Sequence, residues 1–215
     1  ASKAGIPIVG SVFGSSAEEF ASLARKMQGY GAEAIELNLS CPHAKGYGME
    51  MGVDPEVVAN IIREVKAAVV IPVFAKLTPN THKLIDVAKA AEEAGVDAIV
   101  AINTLKAMKI DVDARMPVLS NRYGGLSGPA VRGVGVRCVY ELFEALKIPV
   151  IGVGGVEDWR SALEYMMAGA VAVQIGSGVG RGGAKVFGDV CAGISSYMAE
   201  NGFRDITQLV GVAHD

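Results

Sequence analysis

Gly152-Val153-Gly154-Gly155, with Gly176-Ser177-Gly178 after it, is the stretch whose reading decides the fold. Each motif closes an apolar run, Ile148–Val153 and Ala170–Ile175. Barrels of eight βα units commonly bind phosphate with the loops after their last two strands. An open nucleotide-binding sheet carries its glycine loop after the first strand instead. The first apolar run here, Ile6–Phe13, leads into Gly14-Ser15-Ser16, which is no GxGxxG.

Between these ends lie three more runs, Ala34–Leu39, Ile71–Leu77 and Ala98–Ile102, rich in Val, Ile and Ala. Read as near-continuous apolar runs, they predict strands buried on both faces of a parallel sheet. Amphipathic segments separate them and carry helix-start signals. Ser16-Ala17-Glu18-Glu19 reads as a capping box, Asp54-Pro55 as a cap before a first-turn proline, and Glu157-Asp158 as negative charge at a helix start. Gly31-Ala32-Glu33-Ala34-Ile35, Gly95-Val96-Asp97-Ala98-Ile99 and Gly169-Ala170-Val171-Ala172-Val173 repeat one joint, a glycine that ends a helix and a short loop that feeds a strand. The fold expected is α/β, a (β/α)8 TIM barrel. The chain carries about six of its βα units, strands three to eight, in a single domain over residues 1–215 that is incomplete at its N-terminus.

Composition narrows the function classes. Hydrophobic residues make up 51% and the mean hydropathy is +0.35, enough for a large core. The net charge of −3, with both signs interspersed, argues against nucleic acid as the partner. No apolar run reaches the ~18 residues of a membrane span, and the first residues lack the apolar stretch of a signal peptide. Cys41, Cys138 and Cys191 are odd in number and lack metal-type spacing. Reduced thiols in a cytoplasm fit best. Cys138, Cys191, Met166 and Met167 read as helix packing and Trp159 as a cap or packing residue.

In a barrel the strand C-terminal ends share one face. In order they offer Ser11; Asn38 with Cys41; Lys76 with Thr78 and Asn80; Asn103 with Thr104; Gly154 with Gly155; and Gly176 with Ser177. The thiol of Cys41 follows a strand and precedes the glycine-bearing loop Ala44-Lys45-Gly46-Tyr47-Gly48, a setting for a nucleophile or base. Lys76 ends an apolar strand, where an ammonium is costly without an anion to face. Asn103 and Thr104 suit a substrate with amide donors and acceptors. The glycine motifs leave backbone N–H groups open to a phosphate. Flavin mononucleotide fits this set, with phosphate on the glycine loops and Lys76 stabilising charge on the reduced ring.

Asn38-Leu39-Ser40-Cys41-Pro42, Phe74-Ala75-Lys76-Leu77-Thr78-Pro79-Asn80, Ile102-Asn103-Thr104, Gly124-Gly125-Leu126-Ser127-Gly128-Pro129-Ala130 and Gly152-Val153-Gly154-Gly155 occur in this order. The set closely resembles the dihydroorotate dehydrogenase family, in the cytosolic class whose base is cysteine. The stretch Asn103–Ala130 looks most like the NAD-linked form, which pairs with a second subunit carrying FAD and a 2Fe-2S cluster. The resemblance implies FMN-dependent oxidation of dihydroorotate to orotate in pyrimidine biosynthesis, by a homodimer. It implies that Cys41 removes the C5 proton, that Asn38, Asn103 and Thr104 hold the pyrimidine, and that Asn38 and Ser11 also touch the flavin. Lys76 meets the flavin ring edge with Ile102 nearby, and Gly128, Gly154, Gly155, Gly176 and Ser177 complete the flavin and phosphate site. Ser11 stands where the family usually has asparagine, and His43 where many members have a substrate-binding asparagine. Cys41-Pro42-His43 also resembles the pyrimidine-reducing domain of dihydropyrimidine dehydrogenase, the alternative enzyme. The alternative of another class is a non-catalytic barrel-like assembly protein.

Overall fold

The computed structural model describes residues 5–39 and 51–214, and the chain divides into two compact units, residues 1–100 and 101–215. In the first unit, β1 (Val9–Val12), α1 (Ala17–Gly29), β2 (Ala34–Asn38), α2 (Pro55–Ala68), β3 (Val73–Lys76) and α3 (Leu84–Glu93) alternate, and β4 (Ala98–Ala101) leads out of it. The strands are parallel and lie in chain order, β1-β2-β3-β4, with no reversal. A doubly wound sheet would reverse its order at a switch point. Right-handed crossovers that always step the same way put every helix on one face. Accordingly α1 packs on α2 and α2 on α3.

The local chemistry explains each helix. The Ser16 hydroxyl accepts the Glu19 N–H at 3.2 Å and starts α1. The expected reciprocal bond lands one residue early, because the Glu19 carboxylate accepts the N–H and hydroxyl of Ser15. The Asp54 carboxylate accepts the N–H groups of Glu56 and Val57, and Pro55 follows it in the first turn of α2. Val58, Ile61, Ile62 and Val65 then form a helical stripe that is 0–2% exposed. Each such side chain contributes about 1.5–3 kcal/mol on burial.

Burial corrects the expected two-sided strands. Only β2 and β4 are buried nearly throughout. β1, β3 and, in the second unit, β9 (Val150–Val153) alternate. In the first unit the cause is the one-sided helix layer. Val12, Ile35, Leu37, Val73 and Ala75 are covered, whereas Val9 and Ser11 are exposed and Phe74 and Lys76 half-buried.

The second unit begins with two short antiparallel pairs. β5 (Leu105–Ala107) pairs with β8 (Gly124–Leu126), and β6 (Ile110–Asp111) with β7 (Met116–Pro117). Then follow α4 (Arg132–Ala145), β9, α5 (Trp159–Met167), β10 (Ala170–Gln174), the short α6 (Gly178–Gly182) and α7 (Lys185–Asn201), with β10 parallel to β9. Asp158 and Ser161 form the capping box of α5. The three joint glycines hold the left-handed backbone expected of them, with φ of +90° at Gly31, +89° at Gly95 and +115° at Gly169.

Cys138 is buried as expected, but Cys191 is exposed, because it lies outside the stripe Val186, Val190, Ile194 that α7 buries. Met166 is buried and Met167 half-buried. Trp159 packs: a side chain at Gly193 would collide with its indole, and its ring lies 5.9 Å from that of Tyr197. Among the described residues no helix is long and apolar enough to cross a membrane.

Candidate functional site

Two clusters of strand-end residues emerge, one in each unit. In the first unit, β1, β2 and β3 align Ser11 with Glu36 and Asn38 with Lys76. Residues that alternate along a strand share a face, so Ser11, Glu36, Asn38 and Lys76 fall on the face the helices leave open. The Ser11 hydroxyl donates to the Glu36 carboxylate at 3.2 Å. The Lys76 ammonium meets the same Oε1 at 3.4 Å, with the two side chains 19% and 7% exposed. The anion that Lys76 needs is therefore partly supplied by the chain itself. Beyond β3, the buried Thr78 hydroxyl accepts the backbone N–H and side-chain amide of Asn80, at 3.1 and 2.9 Å, and fixes the turn.

The second cluster is built from backbone. The Ala101–Ile102 peptide is cis, and the Ile102 N–H donates to the Val153 carbonyl at 2.9 Å. Asn103 turns its side-chain oxygen onto the Thr104 N–H at 2.7 Å. Thr104 packs against Gly125 so closely that a Cβ there would strike its hydroxyl. Gly128, Gly154 and Gly155 all have positive φ. A Cβ on Gly155 would lie 2.6 Å from the Gly128 carbonyl, and one on Gly128 would lie 3.8 Å from the Ser177 hydroxyl. A Cβ on Gly154 would lie 3.7 Å from Ile102. Ile102, Gly128, Gly154, Gly155 and Ser177 are thus neighbours. Gly176 is exposed with open space at its Cβ position, and Ser177 sits at the N-terminus of α6.

Two residues missed by sequence reasoning support these clusters. Glu36 is one; its signal is a carboxylate inside the apolar run Ala34–Leu39, at a site where a charge needs a partner. Tyr165 is the other. Its ring is fully buried under the glycine loop, and its hydroxyl donates to the Gly154 carbonyl at 2.7 Å, with the Val153 carbonyl at 3.3 Å. Side chains at Gly135 and Gly152 would run into that ring. Burial pushes the Tyr165 hydroxyl well above the usual phenol range. Nothing local in the sequence marks Tyr165, since its partners lie on other elements.

Cys41, and His43 beside it, lie outside the described residues. Among the described residues no group of three or more His, Cys, Asp or Glu side chains is placed to hold a metal.

Each cluster, taken by itself, offers groups that a flavin nucleotide uses. The Gly128–Gly155 approach is a cradle that a Cβ would fill, and Gly176 offers unobstructed backbone at a helix start, as a phosphate requires. Lys76 supplies a cation and Asn38 an amide.

The dihydroorotate dehydrogenase family model matches residues 1–198. The chain is 54% identical over 213 residues to the catalytic subunit of dihydroorotate dehydrogenase B (NAD(+)) from Thermoplasma acidophilum, covering 99% of this chain and 70% of that protein. It is 52% identical to the subunit of that name from Methanocella arvoryzae, over 100% and 70% of the two chains. To the Methanocaldococcus jannaschii subunit it is 49% identical, over 98% and 68%.

Proposed function

Because the chain belongs to the dihydroorotate dehydrogenase family, we propose that it oxidises dihydroorotate to orotate in pyrimidine biosynthesis. Cys41 is the base and FMN the flavin. The observation that carries the reading is the family match over residues 1–198, a span that holds both strand-end clusters and Cys41. When bound, the flavin supplies a two-electron acceptor for the hydride from C6 of dihydroorotate.

The rest falls to this chain's own residues. Cys41, as thiolate, takes the C5 proton and becomes a thiol. Asn38, Asn103 and Thr104 hold the pyrimidine by its amide edges. Lys76 and Ile102 stand at the flavin ring, with Ser11 near it. Gly128, Gly154, Gly155, Gly176 and Ser177 complete the flavin and phosphate site, the four glycines with backbone N–H groups that no side chain obstructs.

We read the six parallel strands as the third to eighth of a (β/α)8 barrel, one domain across residues 1–215. The chain order of β1 to β4 and their one-sided helices support this, as does the exposure of Ile6, Val9 and Phe13 on and beside β1. The relatives named above are NAD(+)-type catalytic subunits. By analogy this chain works in the cytoplasm as a homodimer, with a second subunit carrying FAD and a 2Fe-2S cluster that passes electrons to NAD.

The test is an absorbance spectrum of the purified protein, then anaerobic titration with dihydroorotate and with dihydrouracil. Bleaching of a bound flavin by dihydroorotate alone is expected. Bleaching by dihydrouracil alone would favour the dihydropyrimidine dehydrogenase-like alternative, to which Cys41-Pro42-His43 points. A protein that binds no flavin would favour the non-catalytic one. Cys41→Ala should keep the flavin and slow its reduction by about 10²–10⁴-fold.

A further inference from the structure

We infer that Glu36 is a positioning residue that sets how strongly the Lys76 ammonium acts on the flavin. The inference rests on the reading that Lys76 faces the flavin. Three strands bring three side chains to one oxygen. Ser11 of β1 and Lys76 of β3 both meet Oε1 of Glu36, at 3.2 and 3.4 Å. The Glu36 side chain is nearly buried and the Lys76 side chain about four-fifths buried. In such surroundings a charge pair is screened far less than at the surface.

Two consequences follow. Glu36 holds the ammonium at the strand end, drawn toward its own carboxylate, and so limits how closely Lys76 approaches a reduced flavin. The Ser11 hydroxyl tunes this second effect. By donating to Glu36 it weakens the carboxylate's pull on the ammonium and leaves Lys76 the more effective. A merely structural ion pair would hold the strands together without affecting the flavin's electron affinity.

The measurement is the flavin reduction potential of the full protein, by dye-coupled titration, with flavin content and thermal unfolding alongside. Glu36→Gln keeps the shape and an acceptor oxygen but removes the charge. It should retain flavin and shift the potential positive. Ser11→Ala removes the donor, and should shift the potential negative by a smaller amount. In a Lys76→Ala background both shifts should vanish, because the effect travels through the ammonium.

A flavin-loaded Glu36→Gln protein with native potential overturns the inference. So does a shift that persists without Lys76, which would make Glu36 act directly. Should Glu36→Gln fail to fold, the Ser11→Ala shift, present with Lys76 and absent without it, decides the matter. The unliganded protein gives a flavin-independent readout: unfolding of Glu36→Gln, Lys76→Ala and the double variant should be non-additive, and additivity counts against the pair. Native protein without flavin, or with flavin that dihydroorotate fails to reduce, would instead defeat the functional reading itself.

Discussion

The two strand-end clusters differ in what they are made of. The first, Ser11, Glu36, Asn38 and Lys76, is a set of polar side chains on the sheet face away from the helices. The second, around Gly128, Gly154, Gly155 and Gly176, is defined by the lack of side chains, with Tyr165 bracing it from below. The first is tuned by charge, so its substitutions should act by degrees. The second is set by clearance, so its substitutions should act as thresholds.

The largest effect should come from Gly155→Ala. The new Cβ meets the Gly128 carbonyl at a backbone φ of +73°. Strain of this type costs roughly 1–3 kcal/mol before the clash is counted. Flavin content should fall to near zero, read from the visible spectrum. A variant that keeps full flavin would show that the cradle has room to spare, and the contrast between the clusters would collapse.

Lys76→Ala should be graded. Hydrogen bonds to charged groups contribute about 1.5–3 kcal/mol, so flavin affinity should fall by roughly ten- to a hundred-fold with the fold intact. Equilibrium dialysis measures this. Complete unfolding would mean that the pair with Glu36 is structural after all.

Tyr165→Phe separates bracing from clearance. It removes one hydrogen bond to the Gly154 carbonyl, about 1 kcal/mol, and adds no atoms. It also carries a pH signature. Burial raises the hydroxyl's native pKa above the ordinary phenol value of 10.0. The unfolded chain therefore releases this proton first as pH rises. The contribution of Tyr165 is full below about pH 10 and is lost as pH climbs toward the raised native value. Chemical denaturation between pH 8 and 11 should show a fall in stability in the native protein and a shallower one in Tyr165→Phe. Equal slopes would tie the alkaline loss to other groups.

The smallest effect belongs to Gly31→Ala. Its φ of +90° imposes strain, but nothing lies within 4 Å of the new Cβ. A loss of about 1–2 kcal/mol is expected from the backbone alone, seen in thermal unfolding with flavin binding unchanged.

Much of the fold is legible in the chain because its signals are local. Strand runs, the Asp54 cap and the joint glycines each declare themselves within a few residues. What was not legible depends on partners far away in sequence. The pairing of Glu36 with Lys76 joins residues on different strands and needs the register of β2 on β3. The open face of the first unit follows from the direction of successive crossovers, which no single run encodes. Tyr165 matters because Gly135 and Gly152 come from α4 and β9 to meet it. The exposure of Cys191 depends on which side of α7 is covered. Among the site residues, Lys76 and the glycines stand out because a charge at the end of an apolar strand and missing side chains just beyond strands are both costly choices.

The three helix-to-strand joints look interchangeable as letters, and they share one backbone geometry. Their surroundings are not alike. Gly31 and Gly95 face open space, whereas Gly169 is pressed against the Phe143 ring, which any side chain there would strike. Two copies of the repeat are thus held by conformation alone, and asparagine, which tolerates the left-handed region, is an admissible replacement in both. The third is held by conformation and by room. A repeat in a sequence is therefore not a repeat in tolerance: a library randomised at these three positions should return two permissive sites and one closed one.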